Sequence, residues 1–237
     1  MKVNVKELPE KIKDGCLLDA MVNLHFNTEY RQEVIEETVE NYLNGIGGED
    51  LFSKIPAIEN GVIVPGRVFF ANNTYRVMVV KDSLSFNIVR TYPTWQPYRE
   101  FVKGVVENLL PKVTFVDLNV RYMSHFGNIP MFDYIDGSIY FNNIQTFQGA
   151  QYSFPCTVTD DVPGRIPAQA KVILSDRVEV VPGQLESMVD ITVANAFVRG
   201  VSSDDVMNCL DFVHICEKHL FFTLISDEFY NKLKPEQ

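Results

Sequence analysis

Between Cys16 and Phe26 every second position is apolar, as in a strand. Leu18, Ala20, Val22, Leu24 and Phe26 fall on one side, and Asp19, Asn23 and His25 on the other. A period of two predicts a strand with one wet face. From Thr28, a residue suited to an N-cap, the period lengthens: Tyr30, Val34, Ile35, Thr38, Tyr42 and Leu43 recur at helical spacing, and Asn44-Gly45-Ile46-Gly47-Gly48 ends the run. Residues 49–66, with Pro56, Gly61, Pro65 and Gly66, read as a loop. Short strands at 67–71, 75–81 and 84–91 follow as a meander turned at Asn72-Asn73 and Asp82-Ser83. Pro97, whose missing N–H costs nothing in a first helical turn, opens a helix carrying Tyr98, Phe101, Val102, Val105, Val106 and Leu109 on one face, and Pro111 stops it.

Beyond Pro111 alternation returns. Val116, Leu118, Val120 and Tyr122 against Asp117, Asn119 and Arg121 predict a long strand, followed by strands near 138–144, 150–159, 165–180 and 184–198, the last two turned at Val181-Pro182-Gly183. Ser202 and Asp205 have the spacing of a capping box with Asp in place of Glu, opening a helix over 203–222; Ser226 caps a short helix over 226–232. The expectation is an α+β fold of mainly antiparallel sheet. Residues 1–111 form a β-α-β-β-β-α subdomain, and residues 112–237 form an antiparallel β-rich subdomain with a C-terminal helix pair, the two packed as one body.

The length, 237 residues, suffices for a full core without disulfides, and 21 basic against 31 acidic side chains give a net charge of −10. That balance argues against nucleic acid and acidic membrane surfaces as partners, because both are held by clustered Lys and Arg. Residues 1–15 carry four Lys, two Glu and one Asp with no apolar core, unlike a secretory signal, and no stretch approaches the ~20 apolar residues that span a bilayer. The expected location is cytoplasmic. Cys16, Cys156, Cys209 and Cys216 lack metal-ligand spacing and read as small buried hydrophobes.

No GxSxG, HExxH, Walker, EF-hand or GxGxxG pattern is present, so no catalytic set, metal or cofactor is expected. His25 lies on the wet face of the first strand, His125 ends the long central strand, and His214 shares a polar helix stripe with Asp211 and Lys218 that reads as solvated. Arg121 sits mid-strand. Its plainer reading is an ion pair on the sheet surface; its sharper one is an anchor for a ligand carboxylate, with His25 or His125 in the same pocket.

The most unusual stretch is compositional. From Tyr122 to Gly164 there is no Lys or Arg, and the 43 residues hold nine aromatics together with Asn128, Asn142, Asn143, Gln145, Gln148 and Gln151. Rings and amides give large contact area at small entropic cost, as protein-recognition surfaces do. Phe132, Tyr134, Phe147 and Tyr152 are the candidate partner-binding residues; the plainer reading is that these rings fill the core.

Arg90-Thr91-Tyr92-Pro93-Thr94-Trp95, then Tyr98, Phe101 and a helix to Leu110, followed by Val120-Arg121-Tyr122, resembles the aromatic-helix-then-"RY(I)N" signature of a sporadically distributed prokaryotic family of uncharacterised proteins. Met21–Phe26 and Phe221–Glu228 resemble that family's first strand and last helices. Ser124 departs from its usual Asn, and Asn23 from its usual acid. The resemblance implies one whole-length module with no catalytic residues to carry over. In outline the second part is also similar to SecB-type export and antitoxin chaperones, which hold unfolded chains in aromatic grooves. The expectation is a non-enzymatic cytosolic component of a prokaryotic multi-protein system that binds another polypeptide, chaperone-like, with homo-oligomers open. The alternative is a small-ligand binder or enzyme around Arg121 and His25 or His125.

Overall fold

The computed structural model describes residues 12–13, 16–46, 48, 50–59, 62–135, 150–158, 166–197 and 201–234. Its elements in chain order are β1 (Leu17–Asn27), α1 (Gln32–Ile46), β2 (Ser53–Glu59), β3 (Val62–Ala71), β4 (Tyr75–Val80), β5 (Ser83–Ile88), α2 (Trp95–Leu109), β6 (Thr114–His125), a 3-10 turn (Met131–Tyr134), β7 (Ala150–Val158), β8 (Ala168–Val181), β9 (Gln184–Ala196), α3 (Ser203–Leu224) and α4 (Asp227–Leu233). The nine strands run in the order β2-β3-β4-β5-β1-β6-β9-β8-β7. The expected α+β class and its two closing helices are therefore observed. Residues 49–66 are a correction. Most of them form β2 and the start of β3, because β2 is an edge strand, where Pro56 lacks no ladder bond it needs. The expected strand at 138–144 lies outside the described residues.

The chain divides into two compact units, one of residues 20–120 and 194–212, the other of residues 1–19, 121–193 and 213–237. The boundaries fall inside β1, β6, β9 and α3, away from the Pro111 break that the sequence suggests.

In the first unit the register sorts side chains by face. Val22–Phe86–Val77–Phe70 and Leu24–Leu84–Val79–Val68 form cross-strand rows, all buried except half-buried Val68. They lie on the helix side, where α1 buries Ile35, Val39 and Leu43, and α2 buries Tyr98, Phe101, Val102, Val105, Val106 and Leu109. At about 1.5–3 kcal/mol for each large side chain, the α2 stripe alone contributes on the order of 10 kcal/mol of gross hydrophobic stabilisation. The Tyr98 hydroxyl is satisfied by donating to Phe86 O at 2.6 Å, and the Tyr75 ring stacks on Phe101 at 4.1 Å. The opposite face, reached by the alternate residues, carries Asn23–Ser85–Met78–Phe69–Ile55.

In the second unit Tyr152–Leu174, Phe154–Val172, Cys156–Ala170 and Val158–Ala168 pair across β7 and β8, while β9 buries Ser187, Val189, Ile191 and Val193. Gly183, at φ 81°, makes the β8–β9 corner that Val181-Pro182-Gly183 predicts. Ser226 caps α4 as expected, accepting from Phe229 N at 3.3 Å. In the first unit the Ser202–Asp205 box closes in both directions: Asp205 N donates to Ser202 Oγ at 3.2 Å, and Ser202 N to Asp205 Oδ2 at 2.9 Å.

Candidate functional site

Strand β6 places Asp117, Asn119, Arg121, Met123 and His125 on one side by simple alternation. In the first unit, this side of β6 meets the wet side of β1. His25 Nδ1 lies 2.5 Å from Asp117 Oδ1, and Asn23 Nδ2 donates to Asn119 Oδ1 at 3.0 Å. Ser85 Oγ donates in turn to Asn23 Oδ1. Three adjacent strands thus present a hydroxyl–amide–amide chain beside an imidazole–carboxylate pair. The His25 and Asp117 side chains remain 45% and 42% exposed, open to solvent and to a ligand.

In the second unit Arg121 Nε and Nη2 donate to Asp190 Oδ1 and Oδ2 at 2.9 and 2.7 Å. This two-pronged bond, then the Asp190 and Asp19 charges, hold the guanidinium even more firmly protonated than usual, against the opposing effect of burial. Arg121 is therefore half of a partly buried ion pair, and its fork is already filled by a carboxylate of its own chain. The partner comes from β9, which no spacing on β6 announces. His125 Nδ1 stands 3.5 Å from Glu186 Oε2, whose carboxylate also accepts Gly127 N at 3.1 Å.

The candidate aromatic residues divide. Phe132 and Tyr152 are half-buried against each other, ring centroids 5.2 Å apart. Tyr134 stacks on Phe229 of α4 at 5.0 Å, while Lys232 Nζ donates to its hydroxyl at 2.8 Å and sits 4.3 Å from its ring centre. These contacts dock α4, so Tyr134 serves the core of its own unit. Phe147 lies outside the described residues.

The segment carrying Phe132 and Tyr134 is pinned from β8 and β9. Ser187 Oγ, fully buried, donates to Ile129 O at 2.5 Å and accepts Arg177 N at 2.8 Å. Buried Asp176 accepts Phe132 N at 3.4 Å and Arg177 Nη2 at 2.9 Å. Arg177 adopts φ 47°, a left-handed conformation that costs a non-glycine residue about 1 kcal/mol.

A depression of about 450 Å³ opens between Asn27–Tyr30 and Leu110–Thr114 in the first unit, and none of the candidate site residues lines it. Thr28, expected to cap α1, donates to Lys112 O there at 2.8 Å and accepts Tyr30 N at 3.1 Å; the helix starts four residues later. No family model matches this chain, and no curated protein matches it. Among the described residues, no helix is long and apolar enough to cross a membrane, and no group of three or more His, Cys, Asp or Glu is placed to hold a metal ion.

Sequence reasoning missed the most exposed apolar surface of the first unit. Leu51, Ile55, Ile58, Val62 and Ile63 are 65%, 46%, 61%, 67% and 60% exposed. All belong to the β2–β3 hairpin or its approach, and Ile58 pairs directly with Ile63. The signal was present in the aliphatics of 51–63, but the prolines and glycines around them directed the reading toward a loop.

Helix α3 holds buried Glu217 and half-buried His214, which the stripe of Asp211, His214 and Lys218 does not announce. Burial first, and the Lys218 charge second, push the His214 imidazole down to about 3. Burial pushes the Glu217 carboxyl up to about 8, against the Lys218 charge. The stripe is not a solvated face: desolvation governs His214, and Asp211 is bound to α2.

Proposed function

We propose that the chain is a cytosolic protein-binding component of a prokaryotic multi-protein system, of the sporadically distributed family its motifs resemble, and that it holds an apolar segment of another polypeptide in a chaperone-like way. The single observation that supports this reading is the β2–β3 hairpin, whose aliphatics Ile55, Ile58, Val62 and Ile63, with Leu51 just before it, stand 46–67% exposed. Exposed aliphatics concentrated in one hairpin mark a recognition surface, because leaving them in water costs on the order of 1 kcal/mol or more each that a partner recovers. Pro56 on β2 removes one N–H from the edge, so side chains rather than an added strand carry recognition. The candidate aromatics contribute less to this reading than the hairpin does, since Tyr134 is taken up by α4.

The test is suppression of aggregation of a chemically unfolded client by the full chain, compared with Ile58→Glu and Ile63→Glu. Each substitution should weaken suppression at least about tenfold in the concentration needed, the effect of losing one interface anchor. Both positions are exposed, so melting temperature should hold. Equal suppression by wild type and the double variant would overturn the reading.

A further inference from the structure

We propose that Ser83, His25 and Asp117 form a nucleophilic centre on the sheet face of the first unit opposite α1 and α2, able to transfer an acyl group from small activated carboxylic esters to water. The inference is independent of the binding reading, because none of these residues belongs to the β2–β3 hairpin, and either can fail alone.

The three residues stand side by side on three strands. Asp117 on β6 holds His25 Nδ1 at 2.5 Å. That contact fixes the ring and leaves Nε2 as the proton acceptor of the neutral imidazole. On the other flank of β1, Ser83 of β5 is the register partner of His25. Phe26 N donates to Asp82 O at 2.9 Å, which makes Phe26 and Asp82 a hydrogen-bonded antiparallel pair. Their neighbours His25 and Ser83 are then the non-hydrogen-bonded kind, with Cα atoms about 4.5 Å apart and side chains at their closest. A serine hydroxyl, an imidazole and a carboxylate follow in the order a nucleophile, its base and the base's positioning residue require. The neighbouring row Ser85–Asn23–Asn119 is chained by its own hydrogen bonds and buttresses β1 at the next wet position.

The chemistry balances without a cofactor. Ser83 Oγ bonds to the ester carbonyl carbon as its proton passes to His25 Nε2 and the carbonyl electron pair moves to oxygen. Collapse breaks the carbon–oxygen bond to the leaving alcohol, which takes the proton from His25. Water then attacks acyl-Ser83, giving its proton to His25, and Ser83 leaves with that proton, releasing the acid. His25 and Asp117 stand 45% and 42% exposed on this face, so selectivity comes from leaving-group quality rather than substrate shape. That is why the class is activated esters.

The experiment is labelling of the full chain with a fluorophosphonate, with the modified residue located by peptide mass mapping, alongside p-nitrophenyl acetate hydrolysis. The expected result is modification at Ser83, abolished by Ser83→Ala and slowed at least about tenfold by His25→Gln. Asp117→Asn should keep the fold by circular dichroism yet displace or flatten the rise of labelling rate with pH, which loss of a merely structural contact would not do. No modification of wild-type Ser83 under excess probe, or an equal rate in His25→Gln, overturns the proposal.

Discussion

Asp211 of α3 receives Arg99 of α2 through Nε on both carboxylate oxygens, at 2.8 and 2.9 Å, and the same Oδ1 accepts Trp95 Nε1 at 3.0 Å. One carboxylate thus ties the first and second turns of α2 to α3. The Arg99 and Asp211 side chains are only 17% and 32% exposed, so water screens the pair incompletely. Asp211→Ala leaves a half-buried guanidinium and an indole N–H without this acceptor, and should cost about 2–3 kcal/mol. Trp95 is the only tryptophan in the chain, so its emission reports the loss directly: denaturant midpoint and emission maximum should both shift. An unchanged midpoint would show that the clamp contributes nothing net.

Thr94, one residue before α2, adopts φ 93° and ψ 167°, a region open to glycine and strained for a β-branched residue, and its side chain makes no capping bond. Thr94→Gly should therefore stabilise the protein by about 1 kcal/mol, the relieved strain exceeding glycine's entropic cost in the unfolded chain. Thr94→Ala, which keeps a Cβ, should give no such gain. Equilibrium urea unfolding of the two variants separates the outcomes.

His214 and Glu217 give the pH dependence of stability opposite slopes. His214 falls from an ordinary 6.5 to about 3 on folding, so between those values the unfolded chain binds the extra proton and stability rises with pH. Glu217 climbs from 4.5 to about 8, so between those values the folded chain binds the extra proton and stability falls with pH. From 4.5 to 6.5 the two slopes offset each other. From 6.5 to 8 Glu217 acts alone, and the wild type should lose stability by up to about 2 kcal/mol over that interval. Glu217→Gln, which mimics the protonated carboxyl, should abolish that loss and be the more stable protein at pH 8. Chemical denaturation of both proteins at pH 6.5 and 8 measures it, and parallel curves would rule out a buried, proton-binding Glu217.

What the sequence showed and what it hid follow from the range of the forces involved. The β1 alternation, the α2 stripe, the Ser202–Asp205 box and the Ser226 cap are local, and each was legible because its partners lie within a few residues. Helix α1 is legible too, though its expected cap, Thr28, bonds Lys112 O and Tyr30 N four residues ahead of the helix. The 53–59 strand was hidden by Pro56, which a central strand would exclude and an edge strand accepts. At the candidate site, the wet positions of β1 and β6 were readable as polar. That His25 meets Asp117, and that Arg121 meets Asp190 rather than a ligand, depends on strand order, which no local pattern encodes. The burial of Glu217 and His214 was equally unreadable, because it is set by what covers α3 and not by the helix itself.

Gly104 shows how closely α1 and α2 approach. A Cβ built there would stand 1.7 Å from the Tyr42 hydroxyl oxygen and 2.4 Å from Cζ, so no side chain fits while Tyr42 keeps its place. Tyr42 is half-buried, and burial first, with Glu107 second, raises its hydroxyl above the usual range, so swinging the ring away disturbs packed surroundings. Gly104→Ala in the wild type sets a helix-propensity gain of about 1 kcal/mol against displacement of that ring, at about 1–3 kcal/mol, and should be net destabilising. With Tyr42→Ala the obstruction is gone, and the same Gly104→Ala change should now stabilise by about 1 kcal/mol. The sign reversal in a double-mutant cycle is the decisive measurement, since a glycine retained only for helix flexibility would give the same sign in both backgrounds.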